Sequence, residues 1–422
     1  MSSQTLRIGL LGCGTVGRGL VELIRRNGAL IRQRAGVDLS ITKILVRNLK
    51  KDRPGVDCSL LTTEPEKVLN NGCELIAELI GGIEPARALI HDAISRGKHV
   101  VTANKALLAL DGFRLMRAAE ACNVCLGFEA SVCGGIPIIR ALRSGLVGNS
   151  IQQLTGILNG TCNYVLTRMT EDRISFDRAL CEAQAKGFAE ADPSLDIDGH
   201  DAAQKLKILT ELAFNTKLSA DTVSTEGIRN ISLEDVEAAA KFGYVIKHVA
   251  NAELVAGSLV LGTAPVLLPQ EHQLSNVRHE NNAVLVRGDA VGEMLFCGKG
   301  AGSLPTASAV LSDVVDIARH RNQFSVRPHR RVSVGSCDHP SRYYIRLLVG
   351  EASAVPRITK AFARNGVEVT RAATISESNR SGRHQVRLLT QSTPRKTLET
   401  ALHAVSILKV ENGKNLTLRV AA

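Results

Sequence analysis

The stretch that most constrains the fold lies near the amino terminus. A short apolar run at residues 6–11 leads directly into Gly12-Cys13-Gly14-Thr15-Val16-Gly17, and Leu20, Leu23 and Ile24 follow at helical spacing. The run reads as a buried strand and the stripe as a helix. Glycines at this spacing are weak on their own, but strand, glycines and helix in that order are the setting a dinucleotide-binding turn requires. Gly12 allows the tight turn, Gly14 lets the main chain approach a pyrophosphate, and Gly17 lets helix pack on strand. The anion would sit at the helix mouth, where free N–H groups and the helix dipole favour negative charge. A plain glycine turn is the alternative.

The next segments alternate. Residues 40–46 form a second strand whose end carries Arg47, then Lys50, Lys51 and Arg53, while Asp38 stands at its opposite end. A basic strand end favours a ribose 2′-phosphate over a free hydroxyl; a solvated basic loop is the other reading. Residues 75–80 and 99–103 read as strands, and 86–96 and 106–121 as helices. This alternation predicts a doubly wound parallel sheet. Thr102-Ala103-Asn104-Lys105 falls at the strand end where such sheets bind ligands, though Lys105 taken alone reads as a lysine at a helix start. A strand at 124–131 runs into Glu129-Ala130-Ser131-Val132-Cys133-Gly134-Gly135-Ile136-Pro137. Its carbonyls and one acid could converge on a hard cation, or it links two domains.

The middle of the chain predicts a mixed unit. Helices are expected at 138–146, 163–169, around Val236 and Ala240, and at 243–251, with strands near 154–161, Val260, 284–286 and 294–297. Gly298-Lys299-Gly300-Ala301-Gly302 precedes a helix at 306–317, and either faces an anion or serves as a hinge. Residues 340–422 read as β-α-β-β-α-β, a ferredoxin-like order. They carry no nucleophile or acid–base pair, which suits a regulatory or structural role.

The richest chemistry lies in GFAEADPSLDIDGHDAAQKLKIL, residues 187–209. Pro193 and Gly199 make its first half irregular. From Asp201 the spacing of Ala202, Leu206 and Leu209 is helical, so Asp201 and Lys205 lie on adjacent turns with Glu190 on the loop before them. Acids can hold an ammonium, and a placed lysine can pass a proton to an oxygen. The bland alternative is a solvated helix start with one surface ion pair.

Composition narrows the classes. The chain has 422 residues, too many for one core. It carries a net charge of +11, yet only 3% aromatics and no Trp. That balance favours phosphate-bearing small ligands over nucleic acid, which needs stacking platforms. Ten Cys fall without a framework, and Cys122 and Cys125 are expected as buried thiols. No stretch is long and apolar enough to cross a membrane and no leader is evident, so a cytoplasmic protein is expected.

Six words in series, GLLGCGTVG, TANK, EASVCGGIPI, ILNGTCNY, GFAEADPSLDIDGHDAAQKL and GKGAGSLPTASAV, closely resemble homoserine dehydrogenase of the aspartate pathway over residues 6–320. Residues 340–422 resemble an ACT domain. The resemblance implies a Rossmann-type domain at 1–135 completed by 305–322, a mixed α+β substrate-binding and dimerisation domain at 136–304, a linker at 323–339 and a regulatory ACT domain at 340–422. It implies that Lys205 donates and accepts the proton with Lys105 nearby, and that Glu190 and Asp201 bind substrate. Gly12, Gly14, Thr15, Val16, Gly17, Arg47, Thr102, Lys105, Gly187 and Gly302 would contact NADP or NAD. Glu129 and the main chain at Val132, Gly134 and Ile136 would hold a monovalent cation such as sodium. A homodimer or homotetramer inhibited by L-threonine is implied. A non-catalytic sensor of NADP and an amino acid, or a semialdehyde oxidoreductase working through a Cys thioester, remain as alternatives. No Cys sits beside a base of the kind a thioester route needs.

Overall fold

Leu75, Ile76, Ala77 and Glu78 are all fully buried, as a central strand covered on both faces must be. They belong to a computed structural model that describes residues 4–320, 332–335, 340–349, 354–376, 384–405 and 415–421. The expected linker at 323–339, apart from 332–335, and residues 377–383 of the carboxy-terminal unit lie outside the described residues. The chain divides into two compact units: residues 1–154, 203–223 and 282–332, and residues 155–202, 224–281 and 333–422.

In the first unit, β1 (Gln4–Leu11), α1 (Thr15–Ala35), β2 (Val37–Leu45), β3 (Leu61–Thr62), α2 (Pro65–Leu69), β4 (Leu75–Glu78), α3 (Ala86–Ser95), β5 (His99–Thr102), α4 (Lys105–Ala121) and β6 (Leu126–Gly127) follow in order. The strands pair in parallel as β3-β2-β1-β4-β5-β6. This is the doubly wound sheet predicted, with its order reversing between β1 and β4. Beyond it come α5 (Ile138–Arg140), β7 (Ile151–Ile157), α6 (Gly160–Asp172), α7 (Phe176–Ala185), α8 (Ser194–Ile197) and α9 (His200–Ala213). Next are β8 (Ser224–Thr225), α10 (Leu233–Lys241), β9 (Tyr244–Val255), β10 (Ser258–Pro269), β11 (Asn281–Gly288), β12 (Gly292–Lys299) and α11 (Ser303–His320). Helix α11 returns to the first sheet. Its Val310, Val314 and Ile317 share a core with Ile8, Leu10, Leu20 and Val101.

The second unit corrects one expectation. Residues 243–251 are a strand, not a helix: β9 pairs antiparallel with β10 from Tyr244 opposite Pro269 to Val255 opposite Ser258. The apolar run Val245, Ile246, Val249, Ala250 fits either period, because a strand buried on both faces loses its alternation. The β-branched residues and the Ala256-Gly257 turn decide it. Both turn residues have positive φ (48° and 82°), as a tight two-residue hairpin needs.

The carboxy-terminal elements are β13 (Ser333–Val334), β14 (Tyr343–Val349), α12 (Ala354–Arg364), β15 (Val369–Ser376), β16 (His384–Thr390), α13 (Arg395–Ala404) and β17 (Leu416–Val420). From β14 onward their order is the β-α-β-β-α-β read from sequence. The sheet continues as β9-β10-β17-β14-β16-β15, and β17 joins β10 in parallel, with Val266 opposite Arg419 and Leu267 opposite Val420. Residues of both strand faces are buried. Ile345, Leu347, Val386 and Leu388 pack with Ile358 and Phe362 of α12. Tyr344, Leu389, Leu416 and Leu418 pack with Val165, Met169 and Val236 of α6 and α10. Asp235 of α10 is fully buried beneath this seam. It accepts the Tyr344 hydroxyl at 2.8 Å and pairs with Arg346.

Candidate active site

The glycine turn forms as its spacing dictates. Gly12 sits at φ 98° with its N–H donating to Leu45 O, and a Cβ there would meet Leu79 O at 2.7 Å. At Gly17 an added Cβ would lie 2.5 Å from Gly12 O, so the helix can approach the turn only without a side chain. Gly14 caps α1, and nothing lies within 4 Å of the place its side chain would take. The loop is thus open where an anion would approach the N–H groups of the helix mouth. Thr15 is exposed and Val16 half-buried. Ser303 Oγ donates to Thr15 O at 2.7 Å, tying the start of α11 to this turn just after Gly302, which has φ 118°.

Around the strand ends the sequence reading missed a central residue. Glu78, at the end of β4, is fully buried and organises three segments. It accepts the N–H groups of Ile80 and Gly81 and the Thr102 hydroxyl at 2.6 Å. Thr102 in turn accepts Asn104 N–H, and Asn104 caps α4 through Leu107 N–H. Thr102 therefore fixes the loop, while Lys105 begins α4, half-buried. Arg47 is exposed just past β2, and Asp38 pairs with Arg32 at the far end of that strand.

At the cation candidate, Glu129 is 2% exposed, and burial raises its pKa. Its two oxygens accept the N–H groups of Ile139 and Arg140 at 2.8 Å each, which caps α5. Its own N–H donates to Asp313, whose carboxyl burial pushes up to about 7. Arg143 lies over the Phe128 ring at 4.3 Å, its pKa pushed down by burial to about 10. The main chain turns sharply at Cys133 and Gly134 (φ 54° and 43°), and Ile136 O accepts Ile138 N–H. Each Glu129 oxygen accepts one N–H and keeps a further lone pair, so the carboxylate and the loop's main-chain carbonyls together are the oxygen donors available to a hard cation. Among the described residues no cluster of three or more His, Cys, Asp or Glu could hold a metal. Of the two thiols expected to be buried, Cys125 is and Cys122 is exposed.

The acidic stretch folds around α6. Gly187 ends α7 at φ 74°, and Gln184 Nε2 donates to Glu190 O and Ala191 O, holding the loop that exposes the Glu190 side chain. Asp201, on the first turn of α9, is 3% exposed, and Lys205, one turn on, is 9% exposed. Neither is the solvated ion pair of the bland reading. Asn159, the N-cap of α6, donates Nδ2 to Asp201 at 2.8 Å and to Asp196 at 2.7 Å. His248 of β9 donates Nε2–H to Glu226 O, and burial pushes its pKa down to about 4, leaving a neutral ring near Asp201. The sequence showed Asp196 and Asn159 without their roles. The only available signal was an Asn at a strand end just before a helix.

A parallel sheet of this order, with a glycine turn open at the helix mouth, defines a dinucleotide-binding protein of the doubly wound class. Two family models match the chain, "Homoserine dehydrogenase, NAD binding domain" over residues 12–129 and "Homoserine dehydrogenase" over 137–315. The chain belongs to the homoserine dehydrogenase family. The homoserine dehydrogenase of Bacillus subtilis is 36% identical, covering 99% of this chain and 98% of its own length. The crystal structure of a homoserine dehydrogenase from Thiobacillus denitrificans is 39% identical with a TM-score of 0.90, covering 99% of this chain and 98% of that one. A hyperthermophilic archaeal homoserine dehydrogenase mutant in complex with NADPH matches at 26% identity and a TM-score of 0.65, over 76% of this chain and all of the other.

Proposed function

We propose that this NAD(P)-dependent oxidoreductase interconverts L-homoserine and L-aspartate 4-semialdehyde, with Lys205 moving the hydroxyl proton and Glu190 and Asp201 binding the substrate ammonium. The reading is carried by Asp201 and Lys205, both buried and one turn apart on α9. A buried acid and a buried amine so placed bind and protonate better than a solvated pair. When bound, the nicotinamide supplies or accepts the hydride. Lys205 gives its proton to the oxygen that becomes the hydroxyl, and takes it back in the oxidative direction. Lys105 lies near substrate and nicotinamide. Gly12, Gly14, Thr15, Val16, Gly17, Thr102, Gly187 and Gly302 serve the cofactor, and Arg47 favours NADP over NAD.

Further expectations follow the same reading. Glu129 with the main chain at Val132, Gly134 and Ile136 holds a monovalent cation such as sodium. Residues 136–304 assemble a cytoplasmic homodimer or homotetramer, and residues 340–422 act as an ACT unit through which L-threonine inhibits. The pathway served is threonine, methionine and isoleucine biosynthesis. The test follows nicotinamide absorbance with homoserine and each cofactor, in native enzyme and Lys205→Ala. Loss of roughly 100- to 10,000-fold in turnover is expected; activity within a few fold of native overturns the lysine's role. L-Threonine titration of the same assay tests the effector.

A further inference from the structure

We infer that Asn159 is the positioning residue of the substrate acids, one amide that aims two carboxylates at once. It rests on the reading of Asp201 as a substrate ligand. The Asn159 side chain is 3% exposed at the junction of β7 and α6. Its Oδ1 accepts Cys162 N–H at 2.8 Å, the cap of α6. That contact fixes which way the amide faces: a flip would set N–H against N–H and oxygen against two carboxylates. The Nδ2 group must therefore point away from the helix, and it donates at 2.7 Å to Asp196 Oδ1 and at 2.8 Å to Asp201 Oδ2.

The two acids come from different elements, Asp196 from α8 and Asp201 from the start of α9. Like charges this close repel, and in a buried setting the repulsion is weakly screened. A donor shared between them offsets that repulsion and sets both side-chain angles. Thr161 Oγ donates to Phe188 O at 2.7 Å and lies 3.1 Å from the other oxygen of Asp196, so the start of α6 also reaches the segment just before Glu190. The cap of a single helix thus registers the loop that carries one substrate ligand and the acid that forms the other. Asn159 touches no substrate in this scheme; it acts through Asp201 and Asp196.

Capping and aiming can be separated by substitution. Asn159→Ser and Asn159→Asp both retain a good N-cap acceptor, and neither has the N–H₂ donor. The measurements are kcat, KM for homoserine, thermal midpoint and NADPH affinity by fluorescence, with Asp201→Asn alongside. If Asn159 aims the acids, Asn159→Ser lowers kcat/KM by about tenfold or more, with thermal midpoint and NADPH affinity close to native. Asn159→Asp places a third carboxylate against the pair, which raises the pH at which the cluster sheds its last shared proton. Its activity relative to native therefore recovers as pH falls, whereas that of Asn159→Ser does not. If Asn159 only caps, both variants stay within about twofold of native at every pH, and the inference is overturned. Should Asn159→Ser prove unstable, the pH dependence of the Asn159→Asp ratio decides alone, a flat ratio overturning the inference. Asp201→Asn at native activity would instead remove the reading of Asp201, an outcome distinct from an inert Asn159.

Discussion

The glycine turn of the first unit and the acid cluster of the second solve one problem with opposite materials. At the turn, the groups proposed to meet the cofactor are main-chain N–H groups, and the chain makes room by leaving side chains out: Gly12 and Gly17 admit no Cβ, and Gly14 leaves open space. At the cluster, the groups proposed to meet the substrate are side chains, held by other side chains: Asn159 donates to Asp196 and Asp201, and Gln184 to the main chain of the Glu190 loop. A site made of backbone fails when something is added. A site made of side chains fails when a partner is removed.

The largest expected effect that sharpens this contrast is at a third place, where a buried side chain serves the backbone instead. Glu129→Ala leaves the buried N–H of Ile139 and the part-buried N–H of Arg140 without their acceptor. A loss of about 2–5 kcal/mol is expected, read as a lowered urea midpoint. An unchanged midpoint would mean that the carboxylate is not structural. Next, Gly17→Ala drives a Cβ into Gly12 O; about 1–3 kcal/mol of strain should appear as weakened NADPH binding, with homoserine KM altered less. Equal damage to both would break the division between the two materials. Arg47→Ser removes an exposed charge, and a loss of about 1 kcal/mol, close to fivefold in NADP KM with NAD KM unaltered, is expected. A parallel change in both cofactors would remove the 2′-phosphate assignment.

At neutral pH the last effect vanishes, because it is a pH slope. His248 has a native pKa of about 4, below the usual value of 6.5, because burial disfavours its charged form. The unfolded chain therefore binds this proton more readily between pH 6.5 and 4, and stability should fall as pH drops through that window. His248→Gln keeps a donor toward Glu226 O and should flatten the slope by about 1.4 kcal/mol per pH unit at most. An unaltered slope would place the acid sensitivity elsewhere.

What could be read from the sequence follows the same contrast. The first sheet and its turn were legible because glycine spacing and strand–helix alternation are local signals. Asp201 and Lys205 were legible as a pair because four residues on a helix make neighbours. Asn159 lies 42 residues from Asp201, and no period links them. Glu78 looked like a blemish in an apolar strand, since only the fold brings Thr102, Ile80 and Gly81 onto its oxygens. The run of β9 reads as a helix in the sequence because a strand buried on both faces shows no alternation. The carboxy-terminal order was legible, yet its burial on two faces was not: Tyr343 and Tyr344 both look like core residues, and they serve different cores.

The pairing of β17 with β10 has a consequence for biosynthesis. Val266 and Leu267 meet partners that leave the ribosome about 150 residues later. At ordinary elongation rates that delay is on the order of ten to thirty seconds, during which Val266 and Leu267 have no native strand on that side, although β8 already pairs with Gly262 and Thr263 of the same edge. Unfinished nascent chains should be the form most prone to wrong strand addition, and the stage at which a chaperone has most to protect.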